Sequence, residues 1–192
     1  PGVAMIHVGP GEWRLFVVVL TVLAFAHGYR KLSPFFAVTW FGAGLIFGWF
    51  FTDHRSSPEA LLLPVLVVYL AAAVAKGVVE RGALAGNHIV HVLATGVFGA
   101  LIALPLESSA AAMGWTTPRS TFIRLWAQSE HTWTGGVPLE LPLQWAVLST
   151  LFYGVYKLLD HVGLGATLQT IVLFGAMPFL PRGVEAIMGW MS

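Results

Sequence analysis

Gly82-Ala-Leu-Ala-Gly-Asn87-His88-Ile-Val-His91-Val-Leu-Ala-Thr95-Gly96-Val-Phe-Gly-Ala100-Leu-Ile-Ala-Leu-Pro-Leu106 is a run of twenty-five residues without a single Lys, Arg, Asp or Glu. A helix that crosses the hydrocarbon layer of a bilayer needs about 20 mostly apolar residues at a rise of about 1.5 Å each, so this run is long enough to span. Working outward, five further runs share its character: Leu15–Tyr29, Leu32–Thr52, Ala60–Val79 with Lys76 near its end, Leu141–Tyr156 and Val162–Pro181. The pattern predicts an all-α chain, a polytopic transmembrane helical bundle of about six helices, forming one integral membrane domain over residues 1–192.

The connections Arg30-Lys31, Asp53 to Glu59 and Glu80-Arg81 are short enough to make successive helices antiparallel neighbours. The stretch from Glu107 to Glu140 is longer and rich in Trp, which predicts a capping loop between helices 4 and 5. Within it, Ser120 to Gln128 suits a short helix lying at the membrane surface. The first apolar stretch has no small-residue cleavage signal after it and reads as a retained helix rather than a signal peptide.

Composition supports the same solvent. The chain is 57% hydrophobic and 10% charged, against about a quarter charged in ordinary soluble domains. Ten Lys/Arg and nine Asp/Glu are too few to clothe a water-soluble surface. The expected localisation is therefore integral to a membrane, multi-pass. A net charge of +1 with scattered basic residues leaves no footprint for a nucleic acid. The absence of Cys excludes disulfides, thiolate metal sites, iron–sulfur clusters and a Cys-x-x-Cys-His haem attachment. Arg14, Arg55, Arg119, Arg124 and Arg182 fall on one side of the expected bundle and Arg30, Lys31, Lys76, Arg81 and Lys157 on the other, a tie that gives no orientation by the positive-inside rule. Gly44 with Gly48, and Gly96 with Ala100, are small-xxx-small pairs that let helix backbones approach closely.

Polar groups inside such a bundle are the first candidates for chemistry. Asn87, His88, His91 and Thr95 recur at helical spacing and form a polar stripe expected to face inward, because lipid offers no hydrogen-bond partner. A structural reading, in which His91 bonds a neighbouring helix, stands beside the functional one. His88 and His91 have no Asp, Glu or Cys beside them and no His-Glu-x-x-His pattern, so no metal site and no resident cofactor is assigned. In the fifth helix Ser149, Tyr153, Tyr156, Lys157 and Asp160 fall on one side; Lys157 with Asp160, and Lys76 with Glu80, have the spacing of helix-end ion pairs. Glu107 follows Leu104-Pro105-Leu106 at the lip of its helix, where burial can raise a carboxyl's proton affinity.

Two stretches resemble the carotenoid-biosynthesis membrane proteins, the family that includes the C50-carotenoid hydratases. Gly44-Leu-Ile46-Phe-Gly48-Trp49-Phe-Phe-Thr52-Asp53 is similar to that family's Gly-x-Pro-Phe-Gly-x-Tyr-x-Tyr-Thr helix end, one residue shorter, with Ile46 for Pro and Phe for Tyr. Gly114-Trp115, Trp133, Gly136-Val-Pro138 and Leu141-Pro-Leu-Gln-Trp145 are similar to its later Gly/Trp loop, without the family's Asn, Phe and Gly in the last element. The resemblance implies a helical bundle that protonates a C=C bond of a lipid-dissolved isoprenoid and captures the cation with water or a second double bond. On that implication Glu107, Asp53 and Glu130 are candidate catalytic carboxyls, with Glu140 also flanking the matched stretches. His131 or His91 would relay the proton, and Trp49, Trp115, Trp133 and Trp145 would form aromatic walls. Asn87, His88 and Tyr153 complete the expected substrate-binding set. The partners are then the bilayer and a lipophilic small molecule, with room for a second copy or for partner membrane subunits. The competing expectation is a non-catalytic or cofactor-binding subunit of a larger membrane complex, with His91 or His88 as axial ligand to haem or chlorophyll. A transporter is third, since no paired broken helices or inverted repeat appear.

Overall fold

The computed structural model describes residues 10–31, 34–51, 58–82, 85–112, 140–180, 182–183 and 186–187. They form six α-helices, α1 Pro10–Lys31, α2 Pro34–Phe51, α3 Pro58–Val79, α4 His88–Ala112, α5 Glu140–Val162 and α6 Ala166–Ala176, with a 3-10 turn at Met177–Phe179. No strand occurs among the described residues. The segment expected to cap the bundle, 113–139, lies outside them.

Pro10, Pro34 and Pro58 each open a helix, where a missing N–H removes nothing because the first four amides of a helix have no intrahelical partner. The helix α4 begins six residues later than the uncharged run suggested, because Gly86 adopts a φ of +83° and forms a turn with Ala85 ahead of Asn87. It also runs through Pro105 to Ala112, so Glu107 lies within the helix rather than closing it. The helix α5 continues past Tyr156 to Val162 and ends at Gly163, whose φ is +69°.

The helix α3 is the axis of the fold and packs against α1, α2, α4 and α5. The helices α4 and α5 run antiparallel, since Val92 meets Gly154 while Gly99 meets Ser149 and Trp145. A Cβ on Gly99 would come within 2.7 Å of the Ser149 Cβ and 3.1 Å of the Trp145 carbonyl, and one on Gly96 within 2.9 Å of the Ala146 carbonyl. Gly44 admits Val65 of α3 in the same way, at 2.6 Å from its Cγ2. These are the close backbone approaches that small-residue pairs permit, with Gly99 rather than Ala100 as the second member on α4.

The other face of α4 is apolar and not covered by the other described residues: Ile89, Leu93, Val97 and Leu101 are 72%, 57%, 58% and 57% exposed at four-residue spacing. His91, Thr95, Gly99 and Ala103, two residues out of phase, are buried. Two helices carry segments long and apolar enough to cross a membrane, Leu62–Val79 and His88–Leu106; Ala37–Ile46 and Ala166–Phe179 are shorter apolar stretches.

The α4–α5 contact is the one least able to accept added volume. Gly99→Val should lower the unfolding midpoint in detergent by an amount equivalent to about 1–3 kcal/mol, the usual cost of overpacking. Gly175→Ala, on α6 with nothing within 4 Å of the added methyl, should be neutral or stabilising by up to about 1 kcal/mol. Thermal unfolding followed by circular dichroism compares the two.

Candidate functional site

The turn before α4 sets the site. Asn87 Oδ1 accepts hydrogen bonds from the Ile89 and Val90 amides, both at 3.1 Å, while its carbonyl accepts from the His91 amide at 3.1 Å. Asn87 is therefore an N-cap, exposed at the end of the helix, and not the inward-pointing first member of a polar stripe. The cap places His88 in the first turn at the rim and His91 almost a full turn further in. Thr95, one turn beyond, is fully buried and returns its hydroxyl to the His91 carbonyl at 2.8 Å, which satisfies it within the helix.

His91 joins three helices. Tyr153 Oη of α5 lies 3.3 Å from both His91 Nδ1 and Nε2, and His91 also hydrogen-bonds the Ala72 carbonyl of α3. One ring N–H then donates to the carbonyl and the other nitrogen accepts from the tyrosine hydroxyl. A second imidazole–phenol pair joins α1 to α3: His27 Nδ1 and Tyr69 Oη are 2.7 Å apart. Tyr69 and Tyr153 are both buried. Their rings reach Trp40 of α2 from two sides, with centroid separations of 6.5 and 6.0 Å. Tyr156 adds a third ring, 5.6 Å from Trp40 and 6.0 Å from Tyr153.

Both pairs open on one cavity of ≈ 610 Å³ at the end of the bundle where α1, α3 and α5 finish and α4 begins. Tyr69, Tyr153 and Tyr156 line it together with His27, His88 and His91. Lys76, Glu80 and Lys157 stand at its charged side, with Asn87 and Gly86 contributing the turn. Lys76 Nζ is 3.7 Å from Glu80 Oε1 and Lys157 Nζ is 3.7 Å from Asp160 Oδ2, as the i,i+4 and i,i+3 spacings suggested. Lys157 Nζ also sits 5.8 Å from the Tyr153 ring centroid, within the range of a cation–π contact. The volume falls inside the usual span for small-molecule sites, about 300–1,000 Å³.

Of the residues expected from sequence, His91, His88, Asn87 and Tyr153 therefore meet in one place, drawn from α4 and α5. Trp145 is buried in the α4–α5 core and does not line the cavity. Asp53, Trp115, Glu130, His131 and Trp133 lie outside the described residues, as do the side chains of Trp49 and Glu107. The backbone of Glu107 is sixteen residues along α4 from His91, about 24 Å at helical rise, and so near the opposite end of the bundle. Sequence reasoning missed His27 and Tyr69. The signal was present, because His27 is an ionisable residue inside an otherwise apolar run, but the partner forty-two positions away was not readable. No group of three His, Asp or Glu suited to a metal occurs among the described residues. Compared with protein-family models, curated proteins and solved structures, the chain matches none.

Tyr153→Phe keeps the ring and removes the hydroxyl, leaving a His91 nitrogen buried without that partner. Such a loss costs about 1–3 kcal/mol, so the unfolding midpoint should fall. In the His91→Phe/Tyr153→Phe double variant the two losses should be less than additive, and a double-mutant cycle from unfolding curves measures the coupling.

Proposed function

We propose that the protein is a multi-pass integral membrane protein that receives one end of a lipid-dissolved isoprenoid in this cavity and carries out acid-catalysed hydration or cyclisation of its double bond. The observation that carries the reading is the His91–Tyr153 pair, a buried imidazole–phenol couple facing a cavity lined by three tyrosines among apolar helices. Membrane insertion is supported by the low charge content and by the exposed Ile89, Leu93, Val97 and Leu101 ridge, which a hydrocarbon solvent leaves without penalty. The resemblance of the Gly44–Asp53 and Gly114–Trp145 stretches to carotenoid-biosynthesis membrane proteins supports the substrate class.

In the reaction a proton adds to one alkene carbon, and the oxygen of water, or a second double bond, bonds the other. Water or the cyclised cation then returns a proton, so hydration adds H2O with no redox change. Hydronium at the open mouth of the cavity delivers the proton, the His91–Tyr153 couple relays it to the alkene, and the ring faces of Tyr69 and Tyr156 attract the developing cation. Glu80 or His88 at the rim takes the proton back. Proton transfer is assigned to this couple rather than to Glu107, whose position on α4 is remote from the cavity.

The test is product formation from acyclic polyenes in membranes containing the protein, read as a gain of one water, or as an isomer, by mass spectrometry. General acid–base groups contribute about 10²–10⁴-fold, so Tyr153→Phe and His91→Gln should each reduce turnover by about that range. Failure to convert any polyene, or full activity in both variants, overturns the proposal. A Soret or chlorophyll absorption band from the purified protein would replace it with the tetrapyrrole-binding reading.

A further inference from the structure

The polar side chains around the cavity are almost all donors. Lys76 and Lys157 carry only donors, the three tyrosines and three histidines each donate, and Glu80 is the one acceptor-only group among the described lining residues. The charged lining residues are two ammonium groups against one carboxylate. His91 with Tyr153 and His27 with Tyr69 already satisfy one another, and the two ammonium groups are donors to which a bare hydrocarbon end offers no acceptor.

The two lysines are held loosely. Each lies 3.7 Å from its carboxylate, beyond ordinary hydrogen-bond length, and Glu80 and Asp160 are themselves more than half exposed. Exposed pairs of this kind are weak, so an oxyanion placed between the lysines competes for both. The two ammonium groups come from the last turns of α3 and α5 and line the same cavity. Lys157 stands directly over the Tyr153 ring, so a head group bound there holds the attached chain against the His91–Tyr153 couple.

From this we infer that the isoprenoid bound in the cavity carries a phosphate-type oxyanion head, seated between Lys76 and Lys157, with its hydrocarbon chain directed toward Tyr69 and Tyr153. The inference rests on the proposed isoprenoid reading and specifies its substrate.

Binding to the full chain in phosphatidylcholine nanodiscs is the test, with geranylgeranyl phosphate, geranylgeraniol, phosphatidic acid and inorganic phosphate as separate probes, followed by ligand-induced rise in unfolding temperature and by 31P NMR for the phosphates. Geranylgeranyl phosphate should bind at least about tenfold more tightly than the alcohol, as charge-assisted bonds to two lysines require. Lys76→Gln/Lys157→Gln should abolish that preference while leaving the affinity for the alcohol unchanged. Lys76→Arg/Lys157→Arg, which keeps the charge, should retain most of it. Equal affinity for phosphate and alcohol, or a preference that survives the double Gln variant, overturns the oxyanion head. Phosphatidic acid binding as tightly as the prenyl phosphate overturns the isoprenoid chain, and inorganic phosphate binding as tightly overturns any lipid ligand. If the alcohol binds but the preference is absent, only this inference fails; if neither prenyl lipid binds, the isoprenoid reading fails with it.

Discussion

The close approach of α4 and α5 is the constraint from which the rest of the structure follows. Gly96 and Gly99 bring the α4 backbone against Ser149, Thr150 and the carbonyls of α5, leaving no room for a Cβ at either position. Glycines at the contact let the two backbones approach closely, which fixes the faces that meet. Once Gly99 is seated on Ser149, the antiparallel register places His91 opposite Tyr153. The polar pair depends on the small-residue contact, although two turns of helix separate them.

His91 then extends the constraint to a third helix through the Ala72 carbonyl. An unpartnered imidazole or phenol inside a bundle costs more than the bond between them contributes, so the pairs favour one packing and penalise the alternatives. His27–Tyr69 does the same for α1 and α3. Trp40 of α2 fills the space between the two tyrosines. The paired histidines and tyrosines that help make the packing specific therefore also line the cavity.

The two ends of the bundle differ in kind. The end where α3 and α5 finish carries the cavity, its histidines and its loosely paired lysines. The opposite end carries the backbone of Glu107 and Glu140.

What could be read from the sequence alone is what depends on neighbours within a turn or two. Uncharged runs of helical length located all six helices, because solvent preference is a sum over consecutive residues. The Lys76–Glu80 and Lys157–Asp160 pairs followed from i,i+4 and i,i+3 geometry, and Gly96 marked the face of closest approach. Even locally some readings failed: Asn87 belongs to the cap because Gly86 turns the chain just before it, and Glu107 lies inside α4 because the helix continues beyond Pro105. The site itself was decided by tertiary structure. His27 with Tyr69, and His91 with Tyr153, are separated by 42 and 62 positions, and helical periodicity fixes only which residues share a face of one helix. Which faces meet, and therefore which donors surround one cavity, is set by the close approaches at Gly44, Gly96 and Gly99 and by the His27–Tyr69 and His91–Tyr153 pairs across helix boundaries.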